Sequence, residues 1–427
     1  MKLTNLMCRI IFVVCLFLAA AQAYADNWPN WRGPNQDGIS QEKNLPTSWS
    51  DTKNVLWKLP LPGKGSSTPI IWGDRMFMTS GENSDLVLLC VSTDGKLLWK
   101  QKVATAVRTV IKKDEANEAS PSPTTDGKHV FVFVGSGDMA CYDFDGKQVW
   151  NFDAQKRYGK FLIQHGIHVT PILHEDRLYL NLIHNNGHWV VALDKATGKE
   201  IWKVDRKSDA EGESREAYSS PVLWKNGNEL NLVVLGADYT TGHRLSDGKE
   251  VWRLGDINPK AKYSTALRII ATPVATSDQL FVPTARGGIF ISLKQGAAGS
   301  IKAGGTHEAW RVGKGSPDVP SPLIHDGIAY LMRENGLLIV LDAKTGKELY
   351  EHRLNSERYR ASPVYADGKI YLTSRDSGAF TVIKAGPTYQ FLATNRLDDV
   401  FTASPAIANG RIYLRGFRAL YAIQDSK

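Results

Sequence analysis

The chain has 427 residues, 42% hydrophobic and 22% charged, so it is long enough to bury a large core and has the composition of a folded protein. Its 52 Lys and Arg against 44 Asp and Glu leave a net charge of +8, an excess too modest to indicate a nucleic-acid partner. The sequence contains no low-complexity tract and no coiled-coil heptad pattern, which excludes fibrous and extended architectures.

The first 25 residues have the features of a secretory signal peptide. Lys2 and Arg9 precede an apolar run over 10–20 that is too short to span a membrane comfortably. Small residues over 21–25 offer cleavage sites for a signal peptidase. Cys15 follows two valines rather than the small residues of a lipoprotein signal. We therefore expect an exported, soluble protein, periplasmic or extracellular, with no transmembrane segment after cleavage and a net charge of +6, which is +8 less two.

Residues 26–54 form a Trp-rich extension ahead of the repeats. It contains the run from Trp28 to Gly38, WPNWRGPNQDG, whose role the sequence does not assign. We expect a division into a signal peptide (1–25), this extension (26–54) and one large domain (55–427).

From residue 55 onward the chain consists of a repeat, marked by Ser or Thr followed by Pro and a short apolar run. The eight pairs are Thr68-Pro69, Ser122-Pro123, Thr170-Pro171, Ser220-Pro221, Thr272-Pro273, Ser321-Pro322, Ser362-Pro363 and Ser404-Pro405. Their prolines are 41 to 54 residues apart, a period typical of repeat architectures. In the third copy, β-type runs over 172–173, 177–180, 190–193 and 200–202 are separated by turn residues. The sequence thus predicts an all-β, eight-bladed β-propeller of four-stranded antiparallel blades.

The eighth copy lacks its outer strand, because the chain stops after the third β-type run. A spare strand, 55–58, precedes the first copy. We predict that this N-terminal strand completes blade eight and closes the ring, which removes open sheet edges.

A tryptophan closes the last strand of most copies, and we expect these side chains to fill the seams between blades. They are Trp99, Trp150, Trp202, Trp252 and Trp310, with Tyr350 in the sixth copy. Cys90 and Cys141 occupy matching places in copies one and two, on neighbouring sheets about 10 Å apart. We expect them to be buried free thiols, because a disulfide needs Cα atoms within ~7 Å.

The runs over 192–202 (ALDKATGKEIW) and 341–350 (LDAKTGKELY) resemble the repeat motif of the PQQ-type, or quinoprotein-like, propeller family. The runs over 28–38 and 385–395 are similar to bacterial PQQ-binding-like propellers. The resemblance to quinoprotein alcohol dehydrogenases implies PQQ with Ca²⁺ and an Asp base, but no residue here is matched to their calcium ligands or base. The resemblance to the propeller lipoprotein of outer-membrane β-barrel assembly, which is BamB-like in build, implies protein contacts and no cofactor.

The loops after the second and fourth strands of each blade lie on one face, which we call the variable face because these loops are long and dissimilar. The tight Asp-Gly and Thr-Gly turns lie on the opposite, constant face. Loops from closing aromatic to the next Ser/Thr-Pro pair are longer on blades one to five than on blades six and seven. We therefore expect the working site on the variable face.

Two groups of side chains on the variable face are candidates for ligand binding. The arginine group, suited to carboxylates or phosphates, is a predicted rim of Arg286, Arg333, Arg375 and Arg415, extended by Arg215, Tyr218 and Arg268. The histidine group is His165 and His168, with His184 and His188 as further members of a weakly supported metal site; otherwise no metal is expected.

The sequence favours an exported, monomeric, non-catalytic propeller that binds an envelope protein or an anionic ligand through its variable face, without nucleic acid and without a cofactor. One alternative is a quinoprotein-like, PQQ-dependent oxidoreductase. Another is a secreted polymer-binding module. No P-loop, nucleophile-elbow or HExxH motif is present to identify an enzyme class.

Overall fold

The computed structural model describes residues 27–107 and 117–425, and these residues form eight antiparallel sheets, the blades of a propeller. The predicted fold class is confirmed. The predicted signal peptide lies outside the described residues. Within the described ranges, no helix is long and apolar enough to cross a membrane.

Each Ser/Thr-Pro repeat forms one blade, with its first strand innermost. Strand β1 (Val55–Pro60) belongs to blade eight. The strands of blades one to four are β2 (Ile70–Trp72), β3 (Arg75–Glu82), β4 (Asp85–Ser92) and β5 (Leu97–Thr105); β6 (Thr124–Thr125), β7 (His129–Phe133), β8 (Asp138–Asp143) and β9 (Gln148–Asp153); β10 (Ile172–His174), β11 (Arg177–His184), β12 (Gly187–Asp194) and β13 (Glu200–Asp205); β14 (Val222–Asn226), β15 (Glu229–Gly236), β16 (Tyr239–Arg244) and β17 (Glu250–Leu254).

Blades five to eight follow the same order. Their strands are β18 (Val274–Ala275), β19 (Gln279–Pro283), β20 (Phe290–Lys294) and β22 (Glu308–Val312); β23 (Leu323–His325), β24 (Ile328–Met332), β25 (Leu337–Asp342) and β26 (Glu348–Arg353); β27 (Val364–Ala366), β28 (Lys369–Thr373), β29 (Ala379–Lys384) and β30 (Phe391–Arg396); β31 (Ala406–Ala408), β32 (Arg411–Arg415) and β33 (Ala419–Ile423). Strand β21 (Gly299–Ile301) leaves blade five and pairs in parallel with β17, as a fifth strand of blade four. A short helix α1 (Ala154–Tyr158) and two 3₁₀ turns, Gly212–Arg215 and Lys260–Lys262, lie in the variable-face loops.

The N-terminal strand closes the ring, as the sequence predicts. Strand β1 pairs antiparallel with β33, in a register that runs from Val55 opposite Ile423 to Pro60 opposite Ala419. Blade eight therefore has the sheet order β1-β33-β32-β31, with its outer strand taken from the opposite end of the chain.

The hydroxyls of the Ser/Thr-Pro pairs link the blades around the channel. We call these eight residues the hydroxyl ring. In seven successive steps, the backbone N–H of one member donates to the hydroxyl oxygen of the member in the next blade, with N···O distances of 2.9–3.2 Å. The first step joins Thr68 to Ser122, and the last joins Ser362 to Ser404. The Thr68 hydroxyl then donates to the Ser404 carbonyl at 3.3 Å. The repeat therefore needs a hydroxyl residue at this position because the preceding blade has an N–H to satisfy there.

Tryptophans fill most of the seams, which confirms their predicted structural role. Trp57, Trp99, Trp150, Trp202 and Trp310 each lie against the turn glycine of the next blade and donate Nε1–H to a carbonyl in that turn. Trp252 differs: it turns into its own blade and donates to Asn231 Oδ1 at 3.0 Å.

The two cysteines are buried free thiols, as predicted. Cys90 lies opposite Trp99 in blade one, and Cys141 lies opposite Trp150 in blade two. Desolvation by burial raises the pKa of each thiol to about 12. Both thiols therefore stay protonated and unreactive at neutral pH.

Candidate functional site

The N-terminal extension crosses the channel at the constant face. Trp28 pairs with strand β2 of blade one, and the Thr125 N–H of blade two donates to the Pro29 carbonyl at 3.1 Å. A few residues later, Arg32 Nη2 donates to the Pro322 carbonyl of blade six at 2.7 Å. Because blades two and six lie opposite each other in a ring of eight, the chain between these contacts spans the channel. We call residues 28–38 the crossing segment.

The crossing segment is held by close packing and a buried cation. Trp28 and Arg32 are 1% and 3% exposed. A Cβ at Gly33, where φ is 79°, would lie 2.9 Å from the Trp28 ring, so this position requires glycine. Arg32 also donates to the Asp37 carbonyl, and its burial lowers its pKa to about 10. The WPNWRGPNQDG run, whose role the sequence left open, is therefore the part of the chain that closes one end of the channel.

Trp31 of the crossing segment forms the floor of a cavity of about 660 Å³ in the channel. The crossing segment lies at this end of the cavity, and the loop residues that line the cavity belong to the variable face. Six members of the hydroxyl ring line its wall: Ser122, Thr170, Ser220, Thr272, Ser362 and Ser404. Loop residues complete the wall: His165, His168, Tyr218, Arg268, Arg286, Asp318, Glu334 and Arg360.

The hydroxyl ring gives the cavity hydrogen-bond donors. Each of these hydroxyl oxygens already accepts a backbone N–H from the preceding blade, so its remaining hydrogen-bonding capacity includes its own O–H. Oxygen atoms of a ligand in the channel would meet these O–H groups. The deep part of the cavity is therefore suited to a ligand rich in acceptors.

Three arginines surround Asp318 in the cavity wall. Arg286 Nε lies 3.5 Å from Asp318 Oδ2, and Arg268 and Arg360 are close enough to stabilise the charged carboxylate. Burial nevertheless raises the pKa of Asp318, whose other oxygen, Oδ1, is buried without a hydrogen-bond partner among the described residues. Arg286 has a positive φ of 39°, unusual for a side-chain-bearing residue. We call Arg268, Arg286 and Arg360 the arginine cluster.

The other carboxylates near the cavity are paired. Glu213 accepts from Arg268 Nη1 at 2.9 Å and lies 3.9 Å from His165 Nε2. Glu216, fully buried, accepts the Tyr218 hydroxyl at 2.6 Å and the backbone N–H of Gln164. These contacts fix the loops before blades three, four and five against one another.

His165, His168 and Tyr218 pack together beside the cavity. The Tyr218 ring centroid lies 5.8 Å from that of His165 and 6.0 Å from that of His168. His168 Nε2 is 2.6 Å from the His165 carbonyl, which can only accept, so Nε2 carries the proton. Burial lowers the pKa of His168 to about 4, so at neutral pH the ring is uncharged and its Nδ1 is an acceptor.

The structure brings together five of the candidate residues and separates the others. His165, His168, Tyr218, Arg268 and Arg286 line the cavity. The remaining candidates of the predicted arginine rim do not line the cavity. Arg333 packs over Gly287 of blade five, and Arg215 donates to the Asn185 carbonyl. Arg375 is buried beside Asp376, and Arg415, which is 1% exposed, donates to Ser67. The arginines thus do not form a continuous rim, and a ligand-binding role for any of them stays a prediction.

His184 and His188 do not join the cavity histidines. His184 is buried between Phe161 and Trp189, with ring centroids 4.9 and 5.3 Å away. His188 Nε2 bonds to the Arg215 carbonyl at 3.0 Å. In the part of the chain that the structure describes, no group of three or more His, Cys, Asp or Glu is placed to hold a metal ion.

Sequence reasoning missed Trp31, Asp318 and Arg360. Asp318 lies in the short loop before blade six and Arg360 in the short loop before blade seven, where no repeat feature marks them. For Trp31 there was a signal, since two tryptophans flank a segment with no strand pattern, but the partner across the channel could not be read from it.

Comparison with known proteins places the chain among propellers with different roles. The family model described as outer membrane protein assembly factor BamB matches residues 85–297 and 294–386. A relative named polyvinylalcohol dehydrogenase, from Sphingopyxis sp. (strain 113P3), is 23% identical over 385 residues, which cover 81% of this chain and 54% of the relative. The chain thus spans about half the length of that relative.

Solved structures with the same fold include a BamB protein and a quinohemoprotein alcohol dehydrogenase. BamB from Moraxella catarrhalis matches with a TM-score of 0.62 and 13% identity, over 86% of this chain and 99% of that one. Quinohemoprotein alcohol dehydrogenase from Comamonas testosteroni matches with a TM-score of 0.68 and 11% identity, over 96% of this chain and 82% of that one. At these identities the likeness concerns the fold alone.

Proposed function

The chain belongs to the family described as outer membrane protein assembly factor BamB, a family of PQQ-type repeat propellers, and from that premise we propose that its channel binds a small quinone cofactor in a quinoprotein-type oxidoreductase. This is the alternative that the sequence offered beside a non-catalytic scaffold. The relative named as a dehydrogenase and the quinohemoprotein structure support it.

The observation that carries the proposal is the cavity in the channel. Its volume of about 660 Å³ lies within the ~300–1,000 Å³ that small-molecule sites usually have. Trp31, the donor-rich wall and the arginine cluster together suit one flat, acidic molecule.

The residues present fit pyrroloquinoline quinone, a planar tricarboxylate. Trp31 offers a flat aromatic surface at the floor. The arginine cluster can bind carboxylates through paired N–H donors, and the hydroxyl ring can donate to the remaining oxygens. When bound, such a quinone would supply the oxidant for an alcohol: it would accept two electrons and one proton from the carbon, while the hydroxyl proton would leave to solvent as the carbonyl forms.

The chain's own residues would bind and orient the reactants. His168 lines the cavity, and its Nδ1 is a hydrogen-bond acceptor at neutral pH because Nε2 carries the proton. An alcohol hydroxyl placed beside it could donate a hydrogen bond to Nδ1 and so be oriented. The loops of blades one to five raise the wall around the cavity on one side and reduce the access of bulk water from that side.

The test is reconstitution. Purified protein is incubated with pyrroloquinoline quinone, with and without Ca²⁺, and assayed with a dye acceptor on primary alcohols, secondary alcohols and polyvinyl alcohol. We expect alcohol-dependent dye reduction, lowered at least tenfold by Trp31→Ala. Cofactor uptake without turnover of any alcohol, or binding of polyvinyl alcohol without oxidation, would identify a binding module and reject the oxidoreductase.

A scaffold role is the second candidate, and one observation favours it. Several aliphatic side chains are exposed on the outer strands of consecutive blades, among them Leu56, Leu97, Val149 and Ile201. The likeness to BamB, which spans 99% of that chain, supports protein contacts on the propeller exterior. Affinity capture from an envelope fraction with wild-type protein and with Leu97→Lys/Val149→Lys separates the two: a partner lost in that variant supports the scaffold, whereas equal capture contradicts it.

A further inference from the structure

We propose that the channel holds its planar polycarboxylate ligand without a divalent cation, with the arginine cluster in the place that such a cation would take. The inference rests on the proposed function, because it concerns the same cavity. It departs from what the resemblance to quinoprotein dehydrogenases implies, which is a quinone held together with Ca²⁺.

The charges on the wall favour an anion over a cation. Among the charged residues that line the cavity, three arginines face two carboxylates, Asp318 and Glu334. Two partners outside the lining, Glu213 beside Arg268 and Arg333 beside Glu334, offset each other, so the wall keeps an excess of one positive charge. A divalent cation entering this cavity would therefore be repelled by the wall, whereas a carboxylate would be attracted to it.

Each carboxylate that a cation would need lies within 4.0 Å of an arginine nitrogen. Glu213 pairs with Arg268 at 2.9 Å, Asp318 with Arg286 at 3.5 Å, and Glu334 with Arg333 at 4.0 Å. Calcium takes about six to eight oxygen ligands, several of them carboxylates. In the described ranges, no three of the acids or histidines converge as a metal site.

The arginine cluster offers the donors that a polycarboxylate requires. Arg268 lies in the loop before blade five, Arg286 in a loop within blade five and Arg360 in the loop before blade seven, and all three line the cavity that Trp31 also lines. Guanidinium groups bind carboxylates with two parallel N–H donors, which fixes the ligand plane as well as its charge. The positive φ of Arg286 is a backbone strain held at this position, as is common where a side chain serves a ligand.

The experiment measures binding rather than activity. Pyrroloquinoline quinone is titrated into the purified protein, and tryptophan fluorescence and calorimetric heat are followed in EDTA and, separately, in excess Ca²⁺. We expect the same Kd within threefold in both solutions. Arg286→Gln and Arg360→Gln should each weaken binding at least tenfold in EDTA, whereas Arg396→Gln, a charge-matched change at an exposed arginine outside the cavity, should leave Kd unchanged.

The outcomes separate this inference from the proposed function. Binding that appears only with Ca²⁺ overturns the cation-free site and leaves the quinone site intact. Absence of binding in both solutions overturns both. Equal weakening by Arg286→Gln and Arg396→Gln also overturns the inference, because it assigns the attraction to overall charge. Should Arg286→Gln fail to fold, Arg286→Lys is used, which keeps the charge and loses the paired donors.

Discussion

At the residue scale, local hydrogen bonds set the chemical state of each buried polar group. His243 of blade four is an example: it is 1% exposed and lies between two oxygens, with Nδ1 2.9 Å from the Gly248 carbonyl and Nε2 2.9 Å from Thr241 Oγ1. The carbonyl can only accept, so Nδ1 carries the proton and Nε2 accepts from the threonine. The same reasoning fixes the tautomer of His168 in the cavity. In both histidines the decisive partners lie within five residues along the chain.

Acid should destabilise the protein through these histidines. Burial lowers the pKa of His243 to about 4, whereas in the unfolded chain it is near 6.5. Between these values the unfolded chain binds more protons, so stability is complete above about pH 6.5 and decreases as the pH falls towards 4. We expect His243→Gln to reduce the drop in urea midpoint between pH 7.5 and pH 5.

The control is His174→Gln, a change at a partly exposed histidine on the constant face. It should reproduce the wild-type dependence on pH. Identical pH profiles for wild type and His243→Gln would contradict the assignment of acid sensitivity to this buried ring.

At the element scale, the seam between two blades depends on a tryptophan and a turn glycine. Trp150 closes blade two and donates Nε1–H to the Lys195 carbonyl of blade three at 2.9 Å. Gly198, in the same turn, has a φ of 66°, and a Cβ there would lie 2.7 Å from the Trp150 ring. The glycine is therefore required twice, for its backbone conformation and for the close approach of the ring.

A pair of glycine substitutions separates these two requirements. Gly227, in the first turn of blade four, has the same φ of 66°, but nothing lies within 4 Å of a Cβ built there. We expect Gly227→Ala to cost about 1 kcal/mol from backbone strain alone. Gly198→Ala should cost about 1–3 kcal/mol more, because the seam is overpacked. Urea unfolding of both variants measures the difference, and equal losses would show that the tryptophan contact adds nothing.

At the scale of the whole molecule, one end of the chain closes the ring and the channel together. Strand β1 supplies the outer strand of blade eight, and the crossing segment ahead of it supplies the cavity floor. Between them, Leu45 and Trp49 are buried in the core shared by blades one, seven and eight. Closure of the propeller and formation of the candidate site are therefore coupled.

Deletion of residues 26–60 should open the ring and remove the cavity floor. The edge of β33 would then be unpaired, and open edges promote association. We expect an oligomeric or aggregating product by size-exclusion chromatography, with a lowered melting temperature. A monomeric deletion product that melts like wild type would show that β1 does not lock the ring.

Repetition made the architecture predictable from the sequence. The Ser/Thr-Pro period, the spare strand ahead of the first copy and the closing tryptophans specify local pairing, and each blade contacts only its neighbours. Eight blades, closure by β1 and the seams were predicted for that reason, as were the two free thiols. The positions of His165, His168, Tyr218, Arg268 and Arg286 on the variable face followed from strand direction alone.

Only the tertiary structure decided which of those side chains meet. Arg286 and Arg415 both lie at the variable-face end of a second strand, yet Arg286 lies at the cavity and Arg415 is buried against Ser67 of the neighbouring blade. Side-chain direction at a loop depends on the packing of the adjacent blade, which a repeat pattern does not encode. The path of the crossing segment could not be predicted from the sequence for a related reason. Its contacts join residues that are far apart in the chain, as in the hydrogen bond from Arg32 to the Pro322 carbonyl, a separation of 290 positions. The local repeat pattern determines the blades, whereas the candidate site forms through contacts between distant parts of the chain.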